Sequence, residues 1–254
     1  MQVSGSGNSI VDSMEGVHLF HFGLSSCSQR VRFALEEKEV NWVGHTINLN
    51  AMENVSAQYQ QIHPKGYVPA LVHNGRLITE STDILSYIDD MFPGAALLPD
   101  DTQGRELVGV WMDIINRNQM CLKTLTYELL VKPHGHFSKK EDVEYYLRHQ
   151  RNPELVQFMK DFSAGFSKEC IAKAMSEAYA FLGEVNNAIS TRPYIVGEHF
   201  SLTDIAAIAN VHRYRLLDLD MEPYNFIGQW YQRVADRKAF QLAITEYESP
   251  NSGS

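Results

Sequence analysis

Ser25, Ser26 and Cys27 stand where an aromatic run gives way to a helical pattern. The first turn of a helix exposes unpaired backbone N–H groups and the positive end of the helix dipole, and both favour an anion. The dipole contributes about 0.3–1 kcal/mol, and a hydroxyl that donates to a thiolate adds roughly 1.5–3 kcal/mol. Lowering a thiol pKa by about two units needs about 2.7 kcal/mol. A helix start of this kind can therefore activate a bound thiol.

Each of these side chains also has a purely structural interpretation. Ser25 or Ser26 can be a helix cap alone. Cys27 is either a rival nucleophile, with a thiolate stabilised by Arg30 and Arg32, or a packed core thiol, because it also falls on the apolar face of the helix. The residues at the junction leave both interpretations open.

A second group of residues, Val68-Pro69 and Glu80-Ser81, fits a peptide ligand. A proline at the start of a hairpin strand suits a cis bond, and the backbone of Val68 is then free to pair with an extended peptide. Glu80 can hold an ammonium, while Ser81 and the N–H groups of the following helix can hold a carboxylate. Together they predict a pocket for a small zwitterionic peptide.

A mixed α/β pattern surrounds both groups. Short aromatic or β-branched runs are typical of strands, and Asn74-Gly75 is a strong hairpin signal. The predicted order is strand (17–22), helix, strand (40–49), strand (67–72), strand (76–79) and a helix from Ser81 that Pro93-Gly94 ends.

Helical spacing dominates beyond Pro99. A long apolar stripe and a shorter one have the period of buried helix faces, and they consist of Ile171, Ala174, Ala178, Phe181, Val185 and Ile189, and of Ile227, Trp230, Tyr231 and Val234. SLTD at 201–204 has the spacing of a capping box, with a role in folding. Residues 132–168 carry many charges and are predicted to be a mobile insertion.

We therefore predict an α/β domain followed by an all-α domain. The predicted boundaries are a disordered leader (1–16), an α/β domain (17–93), a linker (94–104), a helical domain (105–248) and a disordered tail (249–254). Trp111, Met112, Ile115 and Tyr127 can line a hydrophobic pocket facing the first domain, although such stripes also fit a core.

The composition excludes several classes of protein. The net charge of −9 and the absence of a basic run argue against nucleic acid as the main partner. No apolar run approaches the length of about 18 residues that a membrane span needs. The three cysteines, at 27, 121 and 170, offer neither a disulfide framework nor a metal pair. These features predict a cytoplasmic protein without a metal.

Three motifs resemble those of a known family. The run SSCSQRVRFAL (25–35) is similar to the SSCxxRVRxAL signature of zeta-class glutathione transferases. The run HPKGYVPALVHNGRLITESTDILSYID (63–89) resembles the NPxGxVPxLxxxGxxIxES segment of soluble glutathione transferases, and SLTDIA (201–206) resembles a capping box of their helical domain. The resemblance implies a thioredoxin-like first domain, glutathione as co-substrate and a homodimer.

The resemblance also implies roles for single residues. Ser25 matches the catalytic serine, and omega-class relatives have a catalytic cysteine there. Val68 matches the backbone clamp on the cysteinyl part of glutathione, Pro69 the cis-proline, and Glu80 and Ser81 the γ-glutamyl site. Ser26 and Cys27 complete the zeta signature.

Two departures from the family pattern are visible. His63 replaces the usual Asn, and no cation stands near 48–52 for the glycine carboxylate, so His45 or His63 is the expected substitute. The helical domain, with its long 130–168 stretch and HRYRLLDL (212–219), is more similar to dehalogenase-like and ganglioside-induced-type relatives. We expect a transferase that directs the glutathione thiolate at a small hydrophobic electrophile. The alternatives are a Cys27-dependent thiol reductase and a non-catalytic glutathione-binding protein.

Overall fold

The computed structural model describes residues 9–248, which contain a four-stranded sheet followed by a helical region. The elements of the first part are α1 (Ser9–Asp12), β1 (Val17–His21), α2 (Ser26–Glu37), β2 (Val43–Thr46), a 3₁₀ turn (Glu53–Val55), α3 (Ala57–Ile62), β3 (Ala70–His73), β4 (Arg76–Ile78) and α4 (Ser81–Met91). The predicted strand and helix order is confirmed.

The sheet has the strand order β2-β1-β3-β4. β1 runs parallel to β2 and antiparallel to β3, and β3 and β4 form the predicted hairpin. Asn74 and Gly75 both have positive φ, 49° and 78°, which a two-residue type I′ turn requires and which these residue types tolerate. The hairpin register pairs His73 with Arg76.

The second part contains helices and no strand among the described residues. Its elements are α5 (Thr102–Arg117), α6 (Gln119–Thr126), a π-helical segment (Tyr127–Val131), α7 (Lys140–His149), α8 (Pro153–Ala164), α9 (Lys168–Ala188), α10 (Leu202–Leu216), α11 (Ile227–Ala235), α12 (Lys238–Ala243) and a 3₁₀ turn (Thr245–Glu248). No helix among residues 9–248 is long and apolar enough to cross a membrane.

The central helix α10 joins the two parts through one continuous core. It packs against α2, α5, α6, α9 and α11, and from Leu202 to Tyr214 all of its residues are buried. Both halves of the predicted capping box are present. The Ser201 side chain accepts a hydrogen bond from a backbone N–H in the first turn of α10, and the Asp204 carboxylate accepts one from the Ser201 N–H. The start of α2 is therefore held against the helical part by packing rather than by a flexible hinge.

Two segments differ from the prediction. Residues 9–12, placed in the disordered leader, form a helix because Val11 is fully buried against the cluster that contains Phe20 and Val72; residues 1–8 and the predicted tail lie outside the described residues. The predicted mobile insertion contains α7 and α8, which are stabilised by a core cluster of their own with Val55, Tyr146, Met159 and Phe162. The high charge of this segment lies on its outer faces and concealed that core.

Candidate active site

A cavity of about 360 Å³ lies between the start of α2 and the helices of the second part. Its size is in the range of ligand pockets. One side consists of the residues at the start of α2 together with Tyr67 and Val68, and the opposite side of one face of α6 and its π-helical extension. The folded α7–α8 segment contributes Tyr146 and Leu155 to the cavity wall.

Ser25 lies at the cavity wall and caps α2. Its Oγ accepts a hydrogen bond from the Ser28 N–H at 3.2 Å, and its backbone is extended, with φ −71° and ψ 120°. The hydroxyl proton of a capping serine stays available, because accepting a bond does not use its donor. The two interpretations of Ser25 are therefore compatible in one geometry.

Two buried arginines hold the loop that precedes Ser25. Arg32 donates to the carbonyls of Phe22 at 3.2 Å and Gly23 at 2.8 Å, and Arg213 of α10 donates to the carbonyl of Leu24. Three consecutive carbonyls are thus fixed by guanidinium groups, which form strong charge-assisted hydrogen bonds. This arrangement positions the Ser25 hydroxyl relative to both parts of the protein.

Ser26 and Cys27 also line the cavity, and both contact the same helix of the second part. Ser26 Oγ donates to Gln119 Oε1 at 3.3 Å, and Cys27 Sγ lies 3.5 Å from that oxygen. The Gln119 amide donates in turn to Asn210 at 2.8 Å, and Arg30 donates to the same Asn210 oxygen at 3.1 Å. Cys27 is partly exposed, so the packed-core interpretation does not describe it.

The predicted peptide clamp has the required geometry at Val68 and Pro69. The bond between them is cis, and Val68 lines the cavity together with Tyr67. The ladder between β1 and β3 ends at the pair Phe20 and Ala70, so Val68 precedes the paired residues of the strand. A peptide that pairs with the backbone of Val68 would lie across the cavity from α6.

Glu80 and Ser81 lie at the start of α4, as predicted, but outside the residues that line the cavity. Glu80 has φ 63°, a conformation that costs a non-glycine residue of order 1 kcal/mol and that clusters at ligand sites. Its carboxylate pairs with Lys65 at 2.9 Å, and both side chains are more than half exposed. An exposed pair of this kind is worth little, so an ammonium ligand can displace Lys65.

The expected histidine substitutes for a cation do not fit that role. His63 is 3% exposed, its Nδ1 has no hydrogen-bond partner in the described structure, and burial lowers its pKa. Burial and the neighbouring His18 likewise lower the pKa of His45. Both rings are therefore neutral at pH 7, and neither supplies a positive charge to the glycine carboxylate.

Of the four residues predicted to line a hydrophobic pocket, one lines the cavity and three lie in the core. Tyr127 lines the cavity and packs edge-on against Phe158, with ring centroids 4.9 Å apart. Trp111, Met112 and Ile115 do not line it, because this part of α5 faces the core that α10 shares, where Trp111 and Ile115 are buried. This part of the prediction is corrected: three of the four side chains belong to the core.

Several cavity residues were absent from the sequence-based prediction. They include Tyr67, Gln119, Leu122, Lys123, Thr126, Leu130, Val131, His134, His136, Phe137, Tyr146, Leu155 and Arg213. The cavity residues of α6 and its extension recur with a helical period, at positions 119, 122, 123, 126, 127, 130 and 131. Because these positions mix polar and apolar residue types, the sequence pattern does not mark them as a core face. A π-helical segment within this face is itself a feature that is frequent at functional sites.

Two family models match the chain. The glutathione S-transferase N-terminal domain matches residues 24–91, and the glutathione S-transferase C-terminal domain matches residues 168–233, together more than half of the chain.

Whole-chain comparisons agree with the family models. The protein LigF of Sphingobium sp. is 28% identical over 198 residues, 76% of this chain and 77% of its own length. Its crystal structure, described as a beta-etherase, matches with a TM-score of 0.84 at 24% identity and covers 91% of this chain and 99% of that one.

Two further relatives match nearly full length. Glutathione S-transferase Z2 of Arabidopsis thaliana is 24% identical over 230 residues, 90% of each chain. The tetrachloro-p-hydroquinone reductive dehalogenase of Sphingobium chlorophenolicum is 24% identical over 245 residues, 91% of this chain and 96% of its own.

A thioredoxin-like domain, a helical domain and a cavity between them define a two-domain transferase architecture. The chain belongs to the glutathione S-transferase family, and its co-substrate is glutathione. The resemblance to the zeta class and to dehalogenase-like members is confirmed.

Proposed function

We propose that this glutathione transferase uses Ser25 to stabilise the thiolate of glutathione, which then attacks a hydrophobic electrophile in the cavity. The observation that carries the proposal is that Ser25, at the start of α2, and Val68, before the cis-proline, line one cavity with the facing side of α6. Glutathione extended along the backbone of Val68, ahead of β3, would place its sulfur at the start of α2, with its γ-glutamyl end at Glu80 and Ser81.

The chemistry follows from the charges and donors at this position. The dipole of α2 and the Ser25 hydroxyl stabilise a thiolate over a thiol. The thiolate then forms a carbon–sulfur bond, and the leaving group or π-electron pair departs from the same carbon centre. Conjugation, dehalogenation, ether cleavage and isomerisation all begin in this way. The names of LigF and of the dehalogenase support ether cleavage and dehalogenation among these reactions.

The alternative that Cys27 is the nucleophile has its own support, because its sulfur lines the cavity. Cys27→Ser separates the two. We expect conjugation of 1-chloro-2,4-dinitrobenzene to stay within about twofold of wild type, a change of about 0.5 kcal/mol. Loss of conjugation together with loss of glutathione-dependent disulfide reduction would instead identify a Cys27 thiol reductase. The two rates, measured in parallel on one preparation, decide between them.

We further propose a homodimer, which the family resemblance supports. Met91 of α4 and Val110 of α5 are about half exposed, and exposed apolar side chains of this size suit an interface. Light scattering is expected to give twice the mass of one chain. The mass of a single chain, at concentrations well above those of the assay, would contradict this proposal.

A cytoplasmic location is likewise proposed. The three cysteines at 27, 121 and 170 are unpaired in the structure, which suits a reducing compartment.

A further inference from the structure

Lys123 places an amine inside the cavity opposite the start of α2. The side chain lines the cavity on the same face of α6 as Tyr127 and lies over the ring of Phe158, with Nζ 4.0 Å from the ring centroid. The ring of Tyr127 lies 5.8 Å from the same nitrogen. Lys123 and Ser25 therefore line the same cavity, which puts the amine on the electrophile side of it.

No described residue neutralises this amine. Among residues 9–248, no carboxylate lies within 4.0 Å of Lys123 Nζ, and Nζ makes no hydrogen bond to the protein, whereas Lys38 and Lys132 have carboxylate oxygens at 2.6 and 2.7 Å. Lys123 is partly buried, and an ammonium drawn partly out of water without a partner carries an uncompensated desolvation cost. The Phe158 ring offsets part of that cost, and an anion bound in the cavity would offset more of it.

We propose that Lys123 binds an anionic oxygen, a carboxylate or a phenolate, carried by an aromatic electrophile. This inference rests on the proposed function, because it names the substrate class of the same cavity. The walls around the amine are aromatic, with Tyr127, Phe137 and Tyr146 among the lining residues. Flat rings match such walls, and an anionic oxygen is the complement of an ammonium in a medium of low polarity.

The electrostatics of the cavity give this binding a pH dependence. Burial lowers the pKa of Lys123 to about 7, while Cys27 and Glu154 oppose that shift. An amine is charged below its pKa, so an anion is bound well at pH 6 and less well as pH rises through 7 and above, by up to about tenfold per pH unit. The other titratable or charged groups that line the cavity are Tyr67, His134, His136, Tyr146 and Arg213, along with Cys27 and Tyr127.

The test uses two unreactive probes, the anion 3,5-dinitrobenzoate and its neutral methyl ester, at saturating glutathione. The ratio of their affinities is measured by calorimetry for the full chain, for Lys123→Met and for Lys132→Met. The last variant is a matched control, because Lys132 is exposed, pairs with Glu128 and does not line the cavity. Thermal unfolding of all three proteins verifies their folding.

We expect wild type and the Lys132 variant to bind the acid at least about tenfold more tightly than the ester at pH 6.5, the usual effect of a charged hydrogen bond. Lys123→Met should bring the ratio close to one, and pH 8.5 should lower it in wild type far more than in the variant. An unchanged ratio in Lys123→Met overturns the proposal. If the ratio is unchanged and the affinity for glutathione falls in Lys123→Met, Lys123 binds glutathione instead of the electrophile. The proposal is also overturned if wild type binds neither probe.

Turnover separates this inference from the proposed function. The electrophiles 4-chloro-3,5-dinitrobenzoate and its methyl ester carry the same reacting carbon, so their conjugation reports the thiolate chemistry. Conjugation of the ester with an unchanged affinity ratio would leave the transferase function standing and remove the role of Lys123. If the affinity ratio is as expected but neither compound is conjugated, the anion site at Lys123 stands and the proposed transferase function is wrong.

Discussion

Replacing Asp204 by alanine is expected to lower the free energy of unfolding by about 3–5 kcal/mol, because each buried donor left without its acceptor costs about 1–3 kcal/mol. Asp204 is fully buried. Its carboxylate accepts bonds from the Ile195 and Ser201 N–H groups, from the Ser201 hydroxyl and from the Trp230 indole, all at 2.9–3.0 Å. Alanine leaves these donors buried without acceptors. Guanidinium unfolding followed by circular dichroism measures the loss.

Asp101→Ala is the matched control for that variant. Asp101 caps α5 through a 2.7 Å bond from the Gly104 N–H, but it is exposed. We expect a cost of about 1 kcal/mol, that of an ordinary cap. If the two variants lost equal stability, Asp204 would act as a simple cap, and the network that ties α10 to Ile195 and Trp230 would not contribute.

The second large effect is expected in catalysis. Ser25→Ala should lower kcat/KM for conjugation by about 10- to 150-fold, because a hydrogen bond to a charged sulfur contributes roughly 1.5–3 kcal/mol. Steady-state rates at saturating and at limiting glutathione, with one electrophile, measure the loss. The stability lost with the α2 cap should be only about 1 kcal/mol.

Ser56→Ala controls for the loss of a serine cap. Ser56 caps α3 by accepting a bond from the Tyr59 N–H at 3.2 Å, the same distance as at Ser25. It does not line the cavity. The Ser56 variant should share the loss of stability and keep the rate. Equal rates in the two variants would show that Ser25 serves α2 alone.

The first domain was predictable because its signals are local. The Asn74-Gly75 turn, the strand composition and the apolar period of α2 each depend on neighbours a few residues away, and each was confirmed. The capping box at Ser201 and Asp204 is local in the same sense. For these residues propensity, turn chemistry and packing favour the same structure.

The cavity was less predictable because it depends on contacts between distant segments. A lysine on a helix usually extends into solvent, and only the packing of α8 beneath it shows that Lys123 lies over Phe158. The apolar stripe of α5 indicates burial but not the partner, so the sequence does not decide between a cavity and the core for Trp111 and Ile115, which lie in the core. The same reason applies to α7, whose Tyr146 packs against Val55 of the first domain.

The most direct test of the central claim is the ultraviolet absorbance of bound glutathione thiolate as a function of pH, for wild type and Ser25→Ala. We predict that wild type lowers the thiol pKa well below the ordinary thiol value of about 8.5, so that thiolate is present at pH 7. The variant should raise that pKa again by about one to two units. A wild-type pKa at the ordinary value, or a lowered pKa that persists in Ser25→Ala, would contradict the account.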